Sequence, residues 1–461
     1  MYLLLVVGII LGLSYIPSQP GAHFSPSSSI ILVAFLTLIY AYLGIAVIRV
    51  FLARPRDSGP HPAYMARLPL LDARRLTGRL LRFLLFYRGL LLGLYAFEIY
   101  GLKWSYLVNE YWGLKNWVLL DEILILSPFL LKMMISFVAS FPVDRLLRGS
   151  AWGLKEYISF QVRTVLLVVL LPLLILLSVY DLLSIIASSP GSQSIAAPLA
   201  WVVIPFVVIC IYLFAPLALK SLWRAKALPE GPLRVRLEET ARRVNFGYAG
   251  LLIWPTFGGH ILTACVAGLL SRFRYVLFTD DLLASLSPEE VEAVLAHEMG
   301  HIKKHHFRFY LLFAGVFIIL LLLLDVFLSF LTDFLSMGNK ITEAVALAVL
   351  GVAFLFYWGL LFGYISRRLE RQADLYGANV AGSAALVSAL EKLAFFSGRT
   401  TRHFSWRHFS IGQRIDFLNR AQEDPEVEHK FLRHLRRLIL GILLSFFIGL
   451  FIIILLVLFV W

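Results

Sequence analysis

This chain is short of charge. Only 15% of its 461 residues are charged and 59% are hydrophobic, where soluble domains carry roughly 25% charged and 45–50% apolar residues. A soluble fold of this size cannot hide so much apolar surface. That excludes an ordinary cytosolic enzyme, a disordered chain and a secreted disulfide scaffold. Cysteine is nearly absent too: Cys210, inside an apolar run, and Cys265 are the two. Two isolated cysteines make neither a disulfide framework nor a zinc knuckle. Acidic residues are short, 29 against 42 Lys and Arg, for a formal net charge of +13. No basic patch is interleaved with aromatics as in a single-strand binder, so nucleic acid is not an expected partner. Internal repeats and low-complexity tracts are missing as well.

Long apolar runs are what the chain has. A spanning helix needs about 20 largely apolar residues. Nine runs qualify as candidates: 1–17, 28–52, 83–101, 117–141, 164–188, 199–219, 308–332, 342–365 and 438–461. The first is short. Nothing basic precedes it and no clear small-x-small cleavage site follows Tyr15, which favours a retained helix over a signal peptide. Basic residues alternate between the loops. Arg54, Arg56, Arg67, Arg74, Arg75, Arg79 and Arg82 follow the second run, and Arg145, Arg148, Lys155 and Arg163 follow the fourth. The intervening loops hold only Lys103, Lys115 and Lys340. The basic loops and the N-terminus are therefore expected in the cytoplasm, with the lipid bilayer as an obligatory partner.

The expected organisation is an N-terminal transmembrane region of about six helices (1–219), a hairpin (308–365) turning near Ser336–Lys340, and a C-terminal span (438–461). Two polar stretches, 220–307 and 366–437, are long enough to fold. A hairpin returns the chain to the side it left, so both can build one cytoplasmic domain. In the first stretch, Arg234–Val244 reads as an amphipathic helix. Ile261–Ala267 and Tyr275–Phe278 read as short strands. Ser287, Pro288 and Glu290 make a capping box with proline at the first helical position. They predict a helix from Pro288 to about His305, either ending there or continuing straight into the apolar run. The expected fold is mainly α: a polytopic helical membrane protein with a cytoplasmic domain of helices and a small sheet built from the two polar segments.

That helix carries His297-Glu298-Met299-Gly300-His301, an H-E-x-x-H motif. Residues i and i+4 share a helix face, so both imidazoles can reach one tetrahedral ion. Glu298 then lies beside the open position, where it can take a proton from an activated water. A zinc hydrolase of this kind needs a third protein ligand. Glu370 is the candidate, with Asp374 one turn on along the same face. One can ligate while the other supports an imidazole; the alternative is a solvated Glu370 paired with Arg367 or Arg371. Substitution at the neighbouring Gln372 is expected to matter less than substitution at Glu370 or Asp374. His305 and His306 follow the motif, and neither is expected to be a further metal ligand. His260, in Gly258-Gly259-His260, reads as a turn residue.

From about Leu262 to Leu418 the sequence resembles the integral-membrane gluzincins, the family of the type-I CAAX prenyl protease and the bacterial heat-shock membrane metalloprotease. The resemblance rests on Ala293-Val294-Leu295-Ala296 leading into the motif, on Ser366-Arg367-x-x-Glu370-x-x-Ala373-Asp374, and on His408-x-Ser410-Ile411-x-x-Arg414-Ile415. It implies one Zn²⁺ per chain held by His297, His301 and Glu370, with Glu298 as the catalytic acid-base. It further implies that Asp374 and Arg414 support the site and that His408 stabilises the oxyanion. Two departures stand out. Phe409 replaces a usual proline, and Thr263-Ala264 replaces a usual Asn-Ala pair on the substrate-binding edge strand, here Thr263, Ala264 and Cys265.

The function expected from all this is a membrane-integrated zinc metalloendopeptidase acting on peptides or membrane proteins at the cytoplasmic face of a bacterial plasma membrane, in membrane-protein quality control. Processing of lipid-modified or C-terminal peptides, in the CAAX manner, is the alternative within enzymes. An inactive scaffold is the alternative outside them.

Overall fold

The computed structural model describes residues 1–14, 25–52, 70–115, 117–148, 150–189, 193–335, 349–396 and 409–460. His408, the Ser336–Lys340 turn and the basic residues Arg54, Arg56 and Arg67 lie outside them. Among the described residues, eight helices are long and apolar enough to cross a membrane. The first expected span is described only as Tyr2–Leu13, 12 residues. At 1.5 Å per residue that is about 18 Å, short of a hydrocarbon core of about 30 Å. Contacts divide the chain into two units: residues 1–226 with 254–261, and residues 227–253 with 262–461.

In the first unit, helix Leu120–Arg148 packs against Tyr2–Leu13, Pro26–Leu52 and Leu70–Ala96. Its buried face presents Ile125, Phe129, Met133 and Phe137 to Tyr87, Leu91 and Tyr95. Pro128 sits inside this helix and has no N–H to give to the carbonyl of Leu124. That carbonyl instead accepts from Trp104 Nε1 at 3.0 Å and Ser127 Oγ at 2.8 Å. Lys132 and Glu98 are both fully buried and paired at 2.6 Å, the arrangement a charge needs away from water. Trp152 is pinned by its indole N–H, which donates to Thr256 O at 2.7 Å.

The second unit holds a four-stranded sheet in the order β1 (Lys226–Ala227), β2 (Gly250–Trp254), β4 (Tyr275–Thr279), β3 (Ala264–Ala267). β4 is buried along its whole length, as expected of a central strand. β3 pairs with it antiparallel, Ala264 opposite Phe278 and Ala267 opposite Tyr275, and is an edge. The sheet core joins Leu251, Val276 and Phe278 to Val291, Leu295 and Met299 of the motif helix, Pro288–Lys303.

The motif helix starts as the sequence predicts. Ser287 Oγ accepts from Glu290 N, and Glu290 returns the bond to Ser287 N at 2.7 Å. Glu290 also accepts from Ser388 at 2.6 Å and Lys392 at 2.8 Å, tying the helix start to helix Ser383–Phe396. The end differs from expectation. The helix stops at Lys303, and His305 takes φ +58, in the left-handed region that commonly closes a helix. A new helix, His306–Leu335, then enters the apolar run. On the return, residues 349–381 form one continuous candidate span whose last part is helix Phe362–Ala381. The apolar run and the polar stretch that follows it are thus one rod, with no linker between them.

Candidate active site

The motif helix and helix Phe362–Ala381 cross closely, and two glycines permit it. A Cβ on Gly300 would lie 3.1 Å from Ala373 Cα, and one on Gly377 would lie 3.1 Å from His297 N. With no side chains in the way, the helix carrying Glu370 comes near enough to meet both motif histidines.

His297 Nε2 and His301 Nε2 are 3.3 Å apart, and each is 3.8 Å from a Glu370 carboxylate oxygen. Zinc bonds of about 2.0–2.1 Å in a tetrahedron leave ligand atoms roughly 3.3–3.4 Å apart. Two imidazoles and one carboxylate at these separations fit a zinc ion with small adjustments. Among the described residues, these three form the group of side chains that could hold a metal. Burial pushes the His301 imidazole down to about 3, so the ring is neutral, as a metal ligand must be.

Asp374 is fully buried and lies on the other side of His297, with Oδ1 3.0 Å from His297 Nδ1. Burial disfavours the His297 imidazolium, but the Asp374 carboxylate outweighs it and raises the pKa. Arg414 grips Asp374 with two bonds, Nε to Oδ2 at 2.8 Å and Nη2 to Oδ1 at 2.5 Å, the bidentate fork that suits a carboxylate. Arg414 is placed by helix Ile411–Glu423. That helix begins with a second capping box, Ser410 with Gln413.

Glu298 opens on a cavity of about 390 Å³ that His297, His301, Glu370 and Arg414 also line. Burial, with the Glu370 charge beside it, pushes the Glu298 carboxyl up to about 7 against the pull of His297 and Arg414. The Val266 backbone N–H donates to this carboxylate, linking the edge strand to the motif. Thr263 and Ala264 line the same cavity; Cys265 does not. Thr263 precedes β3 yet still pairs with Thr279, whose N–H it accepts at 3.0 Å. The far wall is apolar, formed by Leu282, Val294, Leu386, Leu390 and Leu393.

The structure thus brings together His297, Glu298, His301, Glu370, Asp374 and Arg414, with Thr263 and Ala264 at the cavity wall. Phe409 lines the cavity next to the undescribed His408 and lies under Arg371, 3.8 Å from its guanidinium carbon. Gln372 also reaches the site: its Oε1 is 2.9 Å from His306 Nε2, and His306 Nδ1 is 2.9 Å from His301 Nδ1. Neither residue carries a signature in the sequence, because the contact joins positions far apart in the chain across the bend at His305. Gly300 and Gly377 were also missed. His260 takes φ +50, in the left-handed region.

Residues 228–423 match the model of Peptidase family M48. The chain is 29% identical over 166 residues to Protease HtpX of Pseudomonas putida (strain W619), covering 35% of this chain and 55% of that protein. It is 26% identical over 189 residues to Protease HtpX of Xanthomonas oryzae pv. oryzae (strain MAFF 311018), covering 40% of this chain and 65% of that one. In each case the match spans less than two thirds of the relative. The crystal structure of S. mikatae Ste24p aligns with 83% of this chain and 98% of its own, at 18% identity and a TM-score of 0.45. The stretch that matches Peptidase family M48, residues 228–423, contains the H-E-x-x-H motif, Glu370, Asp374 and Arg414.

Proposed function

We propose that the chain is a membrane-integrated zinc metalloendopeptidase. The observation that carries this reading is the convergence of His297 Nε2, His301 Nε2 and Glu370 on one point, beside a buried Glu298 at a cavity wall. When bound, zinc supplies Lewis acidity to the scissile carbonyl and makes a water acidic enough to attack near neutral pH. Glu298 takes the proton of the attacking water and delivers it to the leaving amine; a carboxyl held near 7 can do both. Arg414 and Asp374 hold His297 from behind. His408 is assigned the oxyanion bond on sequence grounds.

The substrate is proposed to lie as an added strand along β3, over Thr263, Ala264 and Cys265, because an edge offers free backbone groups to an extended peptide. The apolar wall would take an aliphatic side chain. Two helices run from the apolar spans directly into the site, one ending five residues after His301 and the other carrying Glu370. A site so close to the bilayer suits membrane proteins as substrates, and the basic loops favour the cytoplasmic face of a plasma membrane. Quality control of membrane proteins is the role we assign.

Glu298→Gln is the decisive variant. The amide keeps the shape but accepts no proton. The purified protein should retain about one zinc per chain and lose peptide hydrolysis. Retained hydrolysis with retained zinc would remove Glu298 from its role, and a wild-type chain without zinc would favour a scaffold.

A further inference from the structure

Behind His301, away from the cavity, runs a short chain of hydrogen bonds. His301 Nδ1 meets His306 Nδ1 at 2.9 Å, and His306 Nε2 meets Gln372 Oε1 at 2.9 Å. His306 is 1% exposed. Its position follows from the bend: the motif helix ends at Lys303, His305 turns the chain with φ +58, and the next helix opens on His306. Gln372 comes from the helix that carries Glu370, two residues further on.

Each link in this chain has one proton to share, so the direction is set at its end. An amide oxygen only accepts. With Gln372 Oε1 facing His306, the proton of His306 sits on Nε2, and its Nδ1 is an acceptor. His301 must then carry its own proton on Nδ1. Its Nε2 is left as a bare lone pair, aimed at His297 Nε2 and Glu370. In the opposite direction, with the Gln372 amide NH₂ as donor, every link reverses and His301 Nε2 carries a hydrogen where a metal must bind. The two ring nitrogens of a histidine are distinct, and the bond at one decides what the other can do. No change in net protonation is involved.

We infer that His306 and Gln372 are positioning residues that fix the tautomer of His301, presenting its Nε2 to the metal. His297 has an anion behind it and needs no such device. His301 has a neutral pair instead, which holds the ring without adding a second buried charge. This inference rests on the reading of His297, His301 and Glu370 as a metal site.

The test is zinc affinity of the full chain in detergent, measured by competition with a chromogenic chelator, alongside the melting temperature of the metal-free protein. Gln372→Met removes the acceptor at similar volume. It should weaken zinc binding about 10–100-fold, the usual effect of losing a ligand's supporting bond, with little change in metal-free melting. Gln372→Glu can only accept and should bind zinc at least as tightly as wild type. His306→Asn places an amide oxygen where Nδ1 stood, so it should restore most of the affinity lost in His306→Ala. In the His306→Asn background, Gln372→Met should cost little, because the link it served is gone. Wild-type affinity in Gln372→Met, or equal losses in His306→Asn and His306→Ala with normal melting, would overturn the inference while leaving the metal site in place. A wild-type chain that binds no zinc would overturn both.

Discussion

Replacing Gly377 with alanine tests whether helix contact builds the proposed metal site. The new methyl would sit 3.1 Å from His297 N, 3.2 Å from His297 Cα and 3.3 Å from His297 Cβ. Ordinary carbon contacts run near 3.5–4.0 Å, so the two helices must part by a few tenths of an ångström. The neighbouring atoms belong to helix backbone and cannot swing away as a side-chain tip would. Alanine returns about 1 kcal/mol of helix propensity, and overpacking costs about 1–3 kcal/mol. The net change in stability is a loss of about 0–2 kcal/mol.

Zinc affinity is the sharper readout. Glu370 lies two turns before Gly377 on the same face, so any shift that relieves His297 also draws the carboxylate back from both imidazoles. A misplacement worth about 1.4 kcal/mol is tenfold in affinity, and we expect a loss of that order. Chelator competition gives the affinity and calorimetry of the metal-free chain gives the stability. Gly441→Ala is the control, since a methyl there meets nothing within 4 Å. Unchanged zinc affinity with a raised melting temperature in Gly377→Ala would show propensity acting alone, and the close crossing would lose its role.

Three further outcomes follow from the same geometry. Asp374→Asn leaves Arg414 buried without its anion, which should destabilise the chain by about 3–5 kcal/mol; adding Arg414→Met should recover part of that, and additive losses in the double variant would refute the pairing. Burial raises the Glu292 carboxyl, but bonds from Thr240 and Arg236 outweigh it and hold it below 4.5. A depressed carboxyl stabilises while ionised, so the melting advantage of wild type over Glu292→Gln should be full above about pH 4.5 and shrink as pH falls through the folded value; a difference constant to pH 3 would refute it. With Cys210 and Cys265 replaced by serine, cysteines placed at Pro60 and Gly398 should be shielded from an impermeant label in intact cells and one at Gly338 labelled; labelling at Gly398 would reverse the orientation.

What the sequence made legible is what spacing along one helix encodes. His297 and His301 are one turn apart, Glu298 follows the first, and Ser287 with Glu290 announces the helix start; each needs only local geometry. The long apolar runs are equally plain, because a bilayer demands length and composition and little else. The helix end was read two residues too far, since no glycine or proline marks it. His305 takes the left-handed turn itself, as histidine does more readily than most side chains.

The parts that stayed hidden depend on where two helices cross, which no single run of residues contains. Glu370 could be named from its turn-spaced partner Asp374 and a family resemblance, but its approach to the motif is permitted by Gly300 and Gly377, which taken singly read as ordinary helix glycines. Arg414 was tied to the site only by the family resemblance, and the fold puts its fork on Asp374. His306 and Gln372 are 66 positions apart and bond because a bend at one end and a crossing at the other coincide. The two histidines of the proposed metal site are therefore written locally, while the approach of Glu370 is written in the crossing. A variant that keeps all three proposed donors but alters the crossing should still bind metal more weakly.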